Sequence, residues 1–352
     1  MSRPMLSVVS LLIALLLAEV LLRGPLRPDL IETRDADWQI ATRTLHARLH
    51  RPDPLLVYTP HPGASVEMDY GTVTVNAAGG RGAVTSARVA MLGDSLVWGE
   101  LLAEGDTLPA RLAAHLGEPV SNFGVTGYDT RQEADWYVRA VRPTQPEVVV
   151  VVYCLNDMLM MSGPMHLYAN PAVRQRWIDE RVWIQETAPL RNESVSRLWL
   201  ASRSSDGLQV LAAMAHTARW LRLFTLPGGY TDEFLLAADD PDHRQRTREA
   251  LADLGARIAA DGGEAVLVIS PALYWWHRYQ WDDLHRSVAE AGADAGFAVL
   301  DPPREGRPDA LRFAGDNLHY TPAGSDWLAG EIATFLRATP SGSGAGSGRT
   351  GR

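Results

Sequence analysis

The chain has no lysine; all 33 of its basic residues are arginine. Set against 42 acidic residues, this leaves a formal net charge of −9, which argues against a general nucleic-acid binder because no broad basic surface can neutralise phosphates. The chain also has a single cysteine, Cys154, so neither an intrachain disulfide nor a cysteine-based metal cage can form. That scarcity suits either side of a bacterial membrane and does not fix the compartment.

What is present is ordinary for a globular protein. With 46% hydrophobic and 21% charged residues, the 352 residues can bury a full α/β core. One long apolar run stands apart, Met5 to Leu22, with Glu19 as its only charge. Helical residues in that number, at roughly 1.5 Å each, reach about 27 Å, enough to cross a hydrocarbon core. An uncleaved signal anchor over residues 1–23 is the expectation, with a cleaved signal peptide and a buried soluble helix as rivals. Arg3, Arg23 and Arg27 flank the run without a clear charge asymmetry, and the bulk of the chain is expected outside the cytoplasm, in the periplasm or at the cell surface. Residues 24–85 read as a linking and packing region of short strands and turns, and residues 338–352 as a disordered tail.

Between these ends strands and helices alternate. Arg88–Leu92, Pro119–Phe123, Glu147–Tyr153, Ala265–Ile269 and Phe297–Leu300 are the predicted strands. Glu147–Tyr153 is almost all valine, as a strand buried on both faces requires. Helices are expected over Thr107–Leu116, Thr130–Val141, around Leu251 to Ile258, and over Trp281–Ala293. A last one follows the cap-and-proline pair Thr321-Pro322. The pattern predicts an α/β, three-layer, doubly wound (flavodoxin-like) sheet of about five parallel strands. Residues 159–240, which hold Trp177, Trp183, Trp199 and Trp220, break the repeat and read as a partly helical insertion.

Four short motifs lie at the ends of these strands. Gly93-Asp94-Ser95 closes the first strand, where open sheets place their ligands; a helix-capping serine is the plainer reading. Asn122-Phe123-Gly124 closes the second and offers a backbone N–H, or simply a turn. Asn156-Asp157 follows the valine strand and offers a side-chain amide, or a polar turn. Asp316-Asn317-Leu318-His319 precedes the last helix. Serine needs a base, histidine suits that task near neutral pH, and an aspartate close by can fix its tautomer. With ten histidines in the chain, His319 alone means little; the order of the four motifs is the signal.

This ordered set resembles the four sequence blocks of the SGNH/GDSL hydrolases. The resemblance covers residues 86–337 and is fullest in the run from Asp316 to Gly324. It implies Ser95 as nucleophile, His319 as general base and then acid, and Asp316 as the group orienting His319. It further implies an oxyanion hole made by the N–H groups of Ser95 and Gly124 and the amide of Asn156, with no metal or organic cofactor. Cys154 stands where the family usually has a glycine; at the end of an apolar strand it reads as a small buried hydrophobe. The segment Asn76 to Gly82 and the N-terminal run are similar to those of membrane-anchored bacterial members. The expected activity is ester hydrolysis through an acyl-enzyme on an acyl or acetyl ester, with an ester of a cell-envelope glycan or lipid as a candidate substrate. An O-acyltransferase with the same triad and a catalytically silent carbohydrate- or partner-binding module are the alternatives.

Overall fold

A computed structural model describes residues 10, 13–15, 17, 48–53, 55–160, 241–273, 279, 281–304, 310–311 and 319–339. The expected insertion lies almost wholly outside these residues, as does most of the expected N-terminal anchor. Among the described residues no helix is long and apolar enough to cross a membrane.

Two antiparallel hairpins come first: β1 (His50–Asp53) with β2 (Val57–Pro60), and β3 (Ser65–Met68) with β4 (Gly71–Thr74). The main sheet then follows as β5 (Val89–Gly93), β6 (Val120–Gly124), β7 (Val148–Cys154), β8 (Glu264–Ser270) and β9 (Ala298–Leu300). These five strands are all parallel, in the order β6-β5-β7-β8-β9. Each expected strand is present within a residue or two of its expected bounds. The expected α/β class and five-strand parallel sheet are therefore what the chain adopts.

The helices are α1 (Ser95–Trp98), α2 (Leu108–Leu116), α3 (Thr130–Trp136), α4 (Asp157–Met160), α5 (Pro241–Ala260), α6 (Asp282–Asp294) and α7 (Pro322–Ala338). Local chemistry sets their starts. Thr107 Oγ1 caps α2, Asp129 and Gln132 form a reciprocal capping box on α3, and Thr321 caps α7 just before Pro322. Alternate strand residues serve opposite layers. Met91, Val150, Val152 and Val268 join Leu108, Leu112, Leu328 and Ile332 in one core. Leu267 points the other way, toward α6; α5 packs against both α6 and α3 and buries Leu251, Leu254 and Ile258. Every residue of β7 is buried, as its valine run requires in a central strand covered on both sides.

The strand order reverses beside β5: the chain leaves it for β6 on one side and returns to β7 on the other. The connections leaving β5 and β7 therefore diverge and open a crevice at the carboxyl edge of the sheet. The first three sequence motifs, and His319 of the fourth, map to that edge.

Candidate active site

Ser95 opens α1 directly after β5. Two features force the chain to turn there. Gly93 has no room for a side chain, since a Cβ would stand 2.5 Å from Val97 Cγ2 and 3.1 Å from the Val152 carbonyl oxygen. Asp94 then caps the helix by accepting the Leu96 N–H at 2.9 Å. As the first helical residue, Ser95 carries a backbone N–H with no acceptor inside its own helix. The residue is only 7% exposed, so the chemistry of its hydroxyl is set by protein groups.

The nearest of those groups is His319. Its Nε2 lies 2.9 Å from Ser95 Oγ, a hydrogen bond between residues 224 positions apart in the chain. His319 is held by the residue that follows it: the Tyr320 ring is buried, and its hydroxyl pairs with Ser270 Oγ at 2.8 Å at the end of β8. Asp316, the expected partner of the other ring nitrogen, lies outside the described residues.

Asn156 sits just past β7, partly exposed, with its side chain against the Asp94 carboxyl group. Its Oδ1 is buried without a hydrogen-bond partner among the described residues. Gly124 departs from expectation. Its N–H donates to Asn122 Oδ1 at 3.0 Å, in the interior of the strand end, so it is not presented to the crevice as an oxyanion donor. What the position needs glycine for is packing: a Cβ would fall 2.1 Å from Trp98 N and 2.6 Å from Val97 C, in the backbone of the nucleophile helix. The tight approach of β6 to α1 has no signature in one chain.

The electrostatics beneath the site are acidic and dry. Burial pushes the Asp94 carboxyl group up, while the Leu96 N–H and the neighbouring His319, Cys154 and Asn156 pull it back without cancelling the effect. Glu133 on α3 and Asp157 on α4 are fully buried, and burial with mutual repulsion, including that of Asp94, holds both well above the usual carboxylate range. Cys154 is buried beside them, and desolvation together with the Asp94 charge drives its thiol well above the ordinary value. A thiol held in that form is a poor nucleophile, which leaves Cys154 a packing role, as its place at the end of an apolar strand suggests.

A doubly wound parallel sheet with a hydrogen-bonded serine and histidine at its carboxyl edge defines the class: an α/β hydrolytic site of the nucleophilic-serine kind. The sequence of residues 91–327 matches the GDSL-like lipase/acylhydrolase family, and the chain belongs to that family, a serine hydrolase acting on esters. Among curated proteins none matches the chain. Solved structures similar to it include LAE5, an alpha/beta hydrolase enzyme from the metagenome of Lake Arreo, Spain, at 15% identity and a TM-score of 0.42, covering 72% of this chain and 97% of that one. TesA is similar at 13% identity and a TM-score of 0.40 (71% and 97% covered). A catalytic mutant of Axe2, an acetylxylan esterase from Geobacillus stearothermophilus, is similar at 15% identity and a TM-score of 0.38 (72% and 95% covered).

Proposed function

We propose that the chain hydrolyses an acyl or acetyl ester through an acyl-enzyme on Ser95. The observation that carries this is the 2.9 Å contact of Ser95 Oγ with His319 Nε2 at the mouth of the switch-point crevice. In this reading Ser95 Oγ attacks the ester carbonyl as its proton passes to His319 Nε2. The alcohol leaves with that proton. A water molecule then attacks the acyl carbon, gives a proton to His319, and releases the acid as Ser95 regains its hydrogen. Asp316 accepts from His319 Nδ1 and fixes the tautomer. The Ser95 N–H and the Asn156 side-chain amide stabilise the oxyanion, while Gly124 shapes the turn on which the Ser95 N–H depends.

The apolar run Met5–Leu22 supports a membrane tether with the catalytic domain outside the cytoplasm, near an ester of a cell-envelope glycan or lipid. Membrane fractionation of the full-length protein tests the tether; recovery in the soluble fraction without detergent argues against it.

The function is tested on a short-chain nitrophenyl ester, with Ser95→Ala alongside. Turnover in the wild type that disappears in the variant supports the reading, and equal turnover in both refutes it. An added glycan that captures the acyl group faster than water does would replace hydrolysis by O-acyl transfer on the same serine.

A further inference from the structure

The segment Asn76–Gly82 stands out in the sequence, and the reaction as drawn gives it no part. It is a self-closed turn: Asn76 N–H donates to the Gly80 carbonyl at 2.8 Å, and Asn76 Oδ1 accepts the N–H groups of Ala78 at 2.9 Å and Gly80 at 3.1 Å. The turn presents Arg81, whose side chain has no exposed surface. Nη1 donates to the carbonyls of Trp98 at 2.9 Å and Gly99 at 2.6 Å, Nη2 donates to the carbonyl of Leu102 at 2.6 Å, and Nε faces Glu104 at 3.3 Å.

These carbonyls belong to the last residue of α1 and the turn beyond it. A helix of one turn is marginal by itself, and its terminal carbonyls have no partner within the helix. Here they are buried away from water, so the guanidinium supplies both the missing donors and a positive charge at the carbonyl end. The same residue reaches the neighbouring strand. Arg81 N–H donates to the Asn122 carbonyl at 2.9 Å, and Asn122 Nδ2 returns to the Trp98 carbonyl at 3.3 Å.

Resting on the hydrolase reading above, we infer that Arg81 is a positioning residue for Ser95. Its guanidinium locks the far end of the one-turn helix that Ser95 begins, and so fixes the direction of the Ser95 hydroxyl and backbone N–H. Lysine cannot replace it: a single ammonium lacks the planar fork that meets three carbonyls and a carboxylate at once.

The test is Arg81→Lys in the full-length protein. Two quantities are read per reactive serine, counted by labelling with a fluorophosphonate: the rate of labelling, and kcat with KM on a nitrophenyl ester. The expected result is a loss of about 10-fold or more in both kcat and labelling rate, with KM unchanged, because small misplacements of a reacting group carry large rate penalties. A variant that is merely less stable would show fewer reactive serines at wild-type rate each, and that result overturns the proposal. Should Arg81→Lys not fold, Glu104→Lys probes the same link from a side chain that is 47% exposed. It sets a second positive charge against the guanidinium, and the same fall in kcat at constant KM is expected; unchanged kcat overturns the proposal. A wild-type Ser95 that does not react at all refutes the hydrolase reading and Arg81's role with it, whereas a reactive Ser95 indifferent to both variants refutes Arg81 alone.

Discussion

At the scale of single residues, the site rests on a few side chains whose replacement has separable effects. Ser95→Ala removes the proposed nucleophile, and turnover on a nitrophenyl ester is expected to fall about 10⁴–10⁶-fold, to what binding and the oxyanion donors leave. Asn156→Ala removes one proposed oxyanion donor and is expected to lower kcat about 10²–10³-fold; a kcat equal to wild type would exclude that role for Asn156. Glu133 gives a prediction about stability. Neither of its carboxyl oxygens has a hydrogen-bond partner among the described residues, and Asp94, Asp129 and Asp157 crowd it. Its folded-state pKa is raised well above the ordinary 4.5. The neutral form is therefore favoured by folding: stability from this group is complete below the ordinary glutamate range and is lost as pH rises toward the folded value. Glu133→Gln cannot ionise, so its melting temperature relative to wild type should rise between pH 5 and pH 8. A difference that does not change with pH would show that Glu133 is not the group titrating. The Ser95–His319 pair was legible in the sequence because nucleophilic-serine chemistry needs particular residue types in a particular order. The buried carboxyl groups were not, since acidic residues in a chain of this composition read as surface.

At the scale of elements, the turn after β5 is held by two neighbours, β6 through Gly124 and the Asn76–Gly82 turn through Arg81, and neither contact can be read from sequence. The five strands could be read from apolar runs ending at glycine or polar turns, and the start of the last helix from the cap-and-proline pair Thr321-Pro322. Which backbone would touch which could not. Gly124 shows the difference. Its position suggested a free N–H, but the fold uses it as the point where β6 meets α1 without an intervening side chain. Gly124→Ala keeps the N–H and adds one methyl group against main-chain atoms that cannot rotate away. The expected result is a destabilisation of about 3 kcal/mol or more, at the upper end of overpacking penalties, read from urea unfolding. An alanine variant as stable and active as wild type would mean that β6 and α1 are not in contact as described. The stretch Asn76–Gly82 could be marked by resemblance, but the place of Arg81 could not be read for a related reason: only the closure of that turn points the guanidinium inward.

At the scale of the whole molecule, the boundary of the folded unit differs from the boundary of the family match. The match begins at residue 91, whereas the compact unit that contains the site begins at Arg48. Residues 48–53 and 55–85 are the described part of the stretch 24–85, which reads in sequence as a linking and packing region. Tyr58 Oη donates to the Thr126 carbonyl at 2.8 Å, holding the loop after β6, and Tyr128 Oη donates back to the Tyr58 carbonyl. Gln132 Nε2 donates to the Leu56 carbonyl at 3.1 Å, and Asp53 pairs with Arg139. Removing the hairpins would orphan Tyr128 Oη and Gln132 Nε2 and uncover Trp98, which Arg81 and His50 now cover. Each stranded buried polar group costs about 1–3 kcal/mol, against a total stability of about 5–15 kcal/mol for a typical domain. A chain starting at residue 48 is therefore expected to melt cooperatively and to label at Ser95 with a fluorophosphonate. A chain starting at residue 86, although it keeps Ser95, His319 and the matched family region, is expected to lose both properties. If the shorter chain melted and labelled like the longer one, the hairpins would be an appendage. The turn that aims Ser95 would then have to be held by the five-strand sheet and its helices alone.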